Sequence, residues 1–412
     1  MAFSRQSRKC FLSICAFLLC CFFTPVLQAS TCFKPHVSSV ESLQIKKCYR
    51  EWKDIRKQTR HLKVTQRKLV RFKKSSFFNR RPFQFSHPAI DQKTIYLGVE
   101  ANRFYAVDLF TLKKRWSFET LGPVESTAAF DDNTVFFGDA KGFLYALSKE
   151  TGAEVWRRQL DDAIISKPLV ADGKIYAFTH SGRLFAISRE TGAELWHTDA
   201  LEKTWGFSIH GLSNPTLFQD MIFVGSSSGL LVAYQKDTGD IRWLRQLGDR
   251  REQFFDVDTQ SLVADDSLYT ATADGGLFRI DPFTGNIMWS HDNAGDGNLS
   301  YHEGKLFVTG SGVLSAFDAK TGFLVWQQDF GVSWLGSPVL GNPSFIAVTT
   351  TEDEVYFVDR DNGDLLFTRY IPHGAYADPV ALENTLYILA NKSYLYGYKI
   401  EEKKKKWVPL AK

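Results

Sequence analysis

The chain has 412 residues, 44% hydrophobic and 23% charged, with a formal net charge of +4. That balance supplies ample core material and excludes a chain disordered over most of its length, which would lack this apolar and aromatic mass. It also excludes a polytopic membrane protein, because only one apolar run approaches the length a membrane requires.

Residues 1–29 read as an export signal. Arg5, Arg8 and Lys9 precede the apolar run Phe11–Phe23, and Pro25 and Leu27-Gln28-Ala29 follow it. A helix of that run rises about 20 Å, short of a bilayer's apolar thickness. An uncleaved signal anchor is the alternative. Of the six cysteines, Cys10, Cys15, Cys20 and Cys21 lie inside the signal, so the exported chain would keep Cys32 and Cys48. Two uses compete for them. They can close a disulfide in an oxidising compartment, or Cys32 can carry a lipid after Ala29-Ser30-Thr31, leaving Cys48 a thiol. The two exclude each other.

Residues 30–81 form a basic arm. From Lys46 to Arg81 there are 15 Lys or Arg against Glu51 and Asp54, whereas residues 82–412 hold 31 basic and 43 acidic residues. The small net charge is thus a cancellation between a basic arm and an acidic body. The arm is suited to anionic lipid or to the body itself, and nucleic acid is not expected as a partner of an exported chain. Ser38-Ser39-Val40-Glu41 reads as a capping box. Ile45, Tyr49, Trp52 and Ile55 follow at helical spacing, so an amphipathic helix is expected over about residues 40–60. Val64–Phe72 is compatible with helix or strand.

One unit then repeats through residues 82–412. Its clearest copy runs from Lys174 to Trp196, with Gly182, Leu184-Phe185-Ala186-Ile187, Thr191-Gly192 and Trp196 as landmarks. The anchoring Trp recurs at positions 116, 156, 196, 243, 289 and 326, is Phe367 in the next unit, and returns at Trp407. The intervals are 40, 40, 47, 46, 37, 41 and 40 residues. Each unit reads as four short antiparallel strands. An alternating run leads into a Thr-Gly turn, then the Trp strand, then a run opened by Ser-x-Pro, as in Ser86-His87-Pro88, Ser166-Lys167-Pro168 and Ser213-Asn214-Pro215. A four-stranded unit of about 40 residues repeated eight times predicts an all-β, eight-bladed β-propeller behind a short basic helical arm. The Trp residues are expected to pack between blades.

The repeat resembles the pyrroloquinoline-quinone-type propeller repeat, found in quinone-dependent dehydrogenases and in non-enzymatic scaffolds alike. A dehydrogenase of that type would often carry a vicinal Cys pair in its mature domain, and the only such pair here, Cys20-Cys21, is in the signal. The two stretched units add a sharper likeness. Their surplus lies in Trp205–Pro215 and in Asp249–Thr259, which ends Asp256-Val257-Asp258-Thr259. These segments resemble those of the BamB family, propeller subunits of the β-barrel assembly machinery of bacterial outer membranes. The resemblance implies a periplasmic scaffold peripherally associated with the outer membrane, a monomer within a complex, without catalytic residues, metal or cofactor. It also implies that Phe207, Ile209, His210, Asp256 and Asp258 grip a BamA-like barrel protein, with nascent outer-membrane proteins as further partners. His210 stands where the family carries Arg. The alternative is a quinone-dependent or other ligand-binding propeller enzyme.

The residues themselves are compatible with adhesion. Asp256 and Asp258 alternate along an extended run and share a face, as do Phe207 and Ile209. Local turn capping and ordinary strand burial remain the alternatives. Asp292–Gly297 has the oxygens and glycines of a calcium loop but lacks its terminal acid, and the nine His include no pair at zinc spacing.

Overall fold

The computed structural model describes residues 62–72, 86–99, 102–201, 213–248, 256–257, 259–341 and 345–402. The export signal, Cys32, Cys48 and the expected helix at 40–60 lie outside them. The described chain forms eight four-stranded antiparallel sheets, an eight-bladed β-propeller. Blade 3 is typical, with strands Leu169–Ala171, Lys174–Phe178, Leu184–Ser188 and Glu194–His197 from the inside out.

Burial explains why the strands look as they do. Leu184-Phe185-Ala186-Ile187 was expected to alternate between core and solvent, yet all four are buried. Blades stack face to face, so both faces of the second and third strands are covered and a continuous apolar run is required. Only the outermost strands alternate, as in Glu194–His197. Eight apolar clusters result, one between each pair of neighbouring blades. Between blades 1 and 2, for instance, Tyr96, Phe104 and Trp116 meet Val135, Phe137 and Tyr145.

The recurring Trp is the inter-blade staple. Its indole Nε1 donates to a backbone carbonyl in the turn of the next blade: Trp116 to Lys149 at 2.9 Å, Trp156 to Arg189 at 2.9 Å, Trp243 to Pro282 at 2.9 Å. The ring lies against the glycine of that turn. A β-carbon on Gly152 would stand 2.6 Å from Trp116, and Gly152 has φ +74°, where side chains are disfavoured. The same pairing joins Trp156 to Gly192, Trp196 to Gly239, Trp243 to Gly285, Trp289 to Gly322 and Trp326 to Gly363. Each Trp follows a register shift of one residue between the third and outer strands, as where Ala106 pairs Trp116 but Val107 pairs Lys114.

Blade 8 closes the ring differently from the sequence expectation. Its inner three strands are Val380–Leu382, Thr385–Ala390 and Tyr394–Glu402, and its outer strand is Leu62–Arg71, from the segment assigned to the arm. The stretch left open between helix and strand is therefore strand. Pairing runs from Leu62 with Glu402 to Arg71 with Tyr394, with the same one-residue shift. In that register Gly397 takes the place of Ala106, and Lys68 takes the place of the Trp. Trp407, expected to supply the eighth staple, lies outside the described residues. The blade 1 turn answers this change. Where other turns carry the stapled glycine, blade 1 has Leu112 at φ +51°. Its buried side chain packs with Leu395 and Tyr387 and fills the space on the blade 8 side. A non-glycine residue there is strained, and the apolar contact offsets the strain.

Buried tyrosines couple this stacking to alkaline pH. Burial pushes the hydroxyls of Tyr96, Tyr176, Tyr234 and Tyr396 up to about 12. Unfolded tyrosines ionise near 10. Between those values the folded chain holds protons that the unfolded chain has lost. Stability is therefore intact below about pH 10 and falls as pH rises towards 12. Urea unfolding from about pH 9 to about pH 12 should show the midpoint dropping together with the rise of tyrosinate absorbance. A flat midpoint across that window contradicts the assignment.

Candidate functional site

The inner strands start in a common register. Their first pairs are Ala89 with Tyr96 in blade 1, Leu169 with Tyr176 in blade 3, Thr216 with Phe223 in blade 4 and Val380 with Tyr387 in blade 8. Two residues earlier, every blade carries a polar side chain. In blade order these are His87, Thr127, Lys167, Asn214, Gln260, Asn298, Ser337 and Asp378.

Hydrogen bonds link these side chains from blade to blade. The Lys167 backbone N–H donates to Asn214 Oδ1 at 2.6 Å, and Asn214 Nδ2 donates to Gln260 Oε1 at 3.3 Å. The Gln260 N–H donates to Asn298 Oδ1 at 2.8 Å, and Asn298 Nδ2 reaches Asp378 Oδ2 at 3.4 Å. Asp378 Oδ1 accepts the Ser337 N–H at 2.8 Å, and the Asp378 N–H donates to His87 Nδ1 at 2.9 Å. Blade 6 thus reaches blade 8 past the short Ser337 side chain, and the inner strand starts converge on a narrow polar neck. The His87–Asp378 link is a second clasp across the blade 8–blade 1 seam. Burial pushes the Lys167 amine below its ordinary pKa.

This neck was missed in the sequence, where the middle residue of Ser-x-Pro read only as a spacer at a strand start. The signal was present, since that position is polar in all eight units. Its meaning depends on eightfold convergence, which no local pattern states.

Of the residues expected to grip a partner, Phe207, Ile209, His210 and Asp258 lie outside the described residues. Asp256 lies between blades 4 and 5 and is only 5% exposed. Its carbonyl accepts the Ala273 N–H at 2.9 Å, and the Val257 N–H donates to the Ser226 carbonyl at 3.0 Å. The run is thereby tied to the ends of both blades. The glycines of the Asp292–Gly297 loop have a packing reason: a β-carbon on Gly295 would stand 2.6 Å from the Thr309 carbonyl oxygen. Among the described residues, no group of three or more His, Cys, Asp or Glu converges as a metal site needs.

The outer edges of the blades are the other exposed feature. Each outer strand pairs on one side only. Charge guards most of them, with Lys114 and Arg115 in blade 1, Arg157 and Arg158 in blade 2, and Arg242 and Arg245 in blade 4. Blades 5 and 6 differ. Like Glu194–His197 of blade 3, their outer strands, Ile287–His291 and Leu324–Asp329, contain neither Lys nor Arg, and Asp329 is the one carboxylate of the two. They expose Met288 at 54% and Leu324 at 51%, beside Phe323 at 73%.

Comparison with known proteins places these features among relatives. A family model described as outer membrane protein assembly factor BamB matches residues 105–311 and 310–412. The outer membrane protein assembly factor BamB of Legionella pneumophila is 25% identical over 192 residues, 44% of this chain and 49% of that protein. The chain spans about half the length of the curated relatives it matches. The crystal structure of BamB from Moraxella catarrhalis superposes with a TM-score of 0.71 at 21% identity, over 82% of this chain and all of that one. A quinohemoprotein alcohol dehydrogenase from Comamonas testosteroni superposes with a TM-score of 0.67 at 14% identity, over 82% and 76% of the two chains. At these identities the structural likenesses establish the propeller fold alone.

Proposed function

Because the chain belongs to the family described as outer membrane protein assembly factor BamB, we propose that it is a non-enzymatic periplasmic scaffold of the outer-membrane assembly machinery. In this reading it docks on a BamA-like barrel protein and supports the folding and insertion of outer-membrane β-barrel proteins. The observation that carries it is the family match over residues 105–412, which takes in blades 2 to 7 whole. A rigid propeller that positions its connecting loops suits such a role. The docking surface is assigned to Phe207, Ile209, His210 and Asp258, with the buried Asp256 as a positioning residue of the same run. The edges of blades 5 and 6, apolar and without Lys or Arg, suit brief pairing with extended, alternating segments of unfolded barrel proteins, because a free strand edge offers backbone donors and acceptors to any extended chain.

The test is a pull-down from solubilised outer membranes with the full chain. The wild type should recover a barrel-assembly subunit, and Asp258→Ala should reduce recovery about tenfold, the loss of roughly one good charged contact. Asp256→Ala serves as a companion whose melting temperature is measured alongside, because Asp256 is buried. Failure of the wild type to recover any such subunit, or full recovery by Asp258→Ala, contradicts the assignment.

A further inference from the structure

The polar neck is bonded continuously along one side and open along the other. From the Lys167 N–H through Asn214, Gln260, Asn298 and Asp378 to His87, every step is a hydrogen bond. The remaining arc, His87 to Thr127 to Lys167, has none among the described residues. Lys167 is the only permanent cation of the eight. Among the described residues its amine makes neither an ion pair nor a hydrogen bond. Lys167 is half-buried, and a lysine withdrawn from water normally has a carboxylate partner. The one carboxylate of the neck, Asp378, is engaged elsewhere by the Ser337 N–H and by Asn298.

The other two groups of the open arc have donors to give. His87 Nδ1 accepts the Asp378 N–H, so in the neutral ring the proton sits on Nε2, which becomes a donor. Thr127 adds a hydroxyl that no hydrogen bond of the neck uses. An ammonium, a hydroxyl and an imidazole N–H on consecutive blades form a set rich in donors and without a carboxylate. Groups of this kind bind an oxyanion through charge-assisted hydrogen bonds. We propose that the open arc of the neck is a binding site for an oxyanion, a carboxylate or phosphate group entering along the propeller axis and held by the Lys167 amine. The proposal rests on none of the residues assigned to docking, so its success or failure is read independently of that assignment.

Two sources supply such a group: a free ion, or the end of a polypeptide. The test titrates the full chain with inorganic phosphate, with acetate, and with one short peptide in free-carboxylate and amidated forms. Binding is read by calorimetry, by the Lys167 side-chain carbon resonance and by melting temperature at constant ionic strength. A bound anion should move that resonance saturably and raise the melting temperature with its concentration. Saturation by phosphate or acetate assigns a free ion, and saturation by the free-carboxylate peptide alone assigns a chain end. Lys167→Met should weaken binding at least tenfold while the protein stays folded, and Lys167→Arg should largely restore it. The absence of saturable binding by any probe, or equal affinity in Lys167→Met, overturns the proposal.

Discussion

Replacing Trp116 by alanine should lower the unfolding free energy by about 3–5 kcal/mol, the range for deleting a large buried aromatic. The residue is 8% exposed, lies 6.0 Å from the Tyr96 ring and 6.1 Å from the Phe104 ring, and donates to the Lys149 carbonyl. Gly152→Ala attacks the same staple from the other blade. Its new β-carbon would meet the Trp116 ring at 2.6 Å in a backbone of φ +74°, a combination of overpacking and strain worth about 2–4 kcal/mol. The pair should be strongly non-additive. With Trp116 already removed the clash is gone, and Gly152→Ala should cost only the positive-φ penalty, about 1 kcal/mol. Urea unfolding of the four proteins measures this directly. Simple additivity would show that indole and glycine are not in contact.

The second large effect concerns the outer strand of blade 8. Deleting Leu62–Arg71 removes the buried Leu62 and leaves the strand Tyr394–Glu402 with a bare edge. It also detaches Phe72, which is buried against Tyr105 at 4.7 Å between ring centroids and donates its N–H to the Ser393 carbonyl. Leu62 and Phe72 alone account for about 3–6 kcal/mol of burial, before the lost ladder. The truncated protein should be aggregated or self-paired through that edge rather than monomeric. Leu62→Asp, which keeps the ladder but puts a charge into the cluster of Tyr398 and Ile400, should destabilise by about 3 kcal/mol or more. Size-exclusion chromatography and urea unfolding check both. A monomeric truncation of wild-type stability would mean that another segment serves as the outer strand.

Most of the propeller could be read from residue spacing because its staple is chemically conspicuous. An indole every 40 or so residues, with a glycine four residues before each from Trp156 to Trp326, is visible in the sequence alone. Blade 8 escaped because it breaks that rule at both ends. Lys68 occupies the Trp register, Leu112 replaces the glycine, and the partner strands lie at opposite ends of the chain. The run Leu62–Arg71, with apolar residues at both even and odd positions, satisfies helix and strand patterns alike. The neck at His87, Lys167 and Asp378 was hidden for a different reason. Each residue is unremarkable in its own unit, and only convergence of eight units makes them neighbours. The partner-gripping loops were selected by resemblance rather than by spacing. The burial of Asp256 was not evident there, because alternation states which residues share a face but not whether that face meets solvent.

The seam between the last blade and the first also sets an order of events. Its inner clasp joins positions 291 apart, His87 and Asp378, and the Tyr387 hydroxyl donates to the Leu109 carbonyl across 278. None of these bonds can form until nearly the whole chain has left the ribosome. Seven interfaces between blades can assemble from neighbours in sequence, while the eighth must gather the two most distant parts of the molecule and bear the loop-closure entropy. The ring is consequently sealed last, and under stress its seam should be the first interface to part, exposing fresh strand edges to proteases and chaperones.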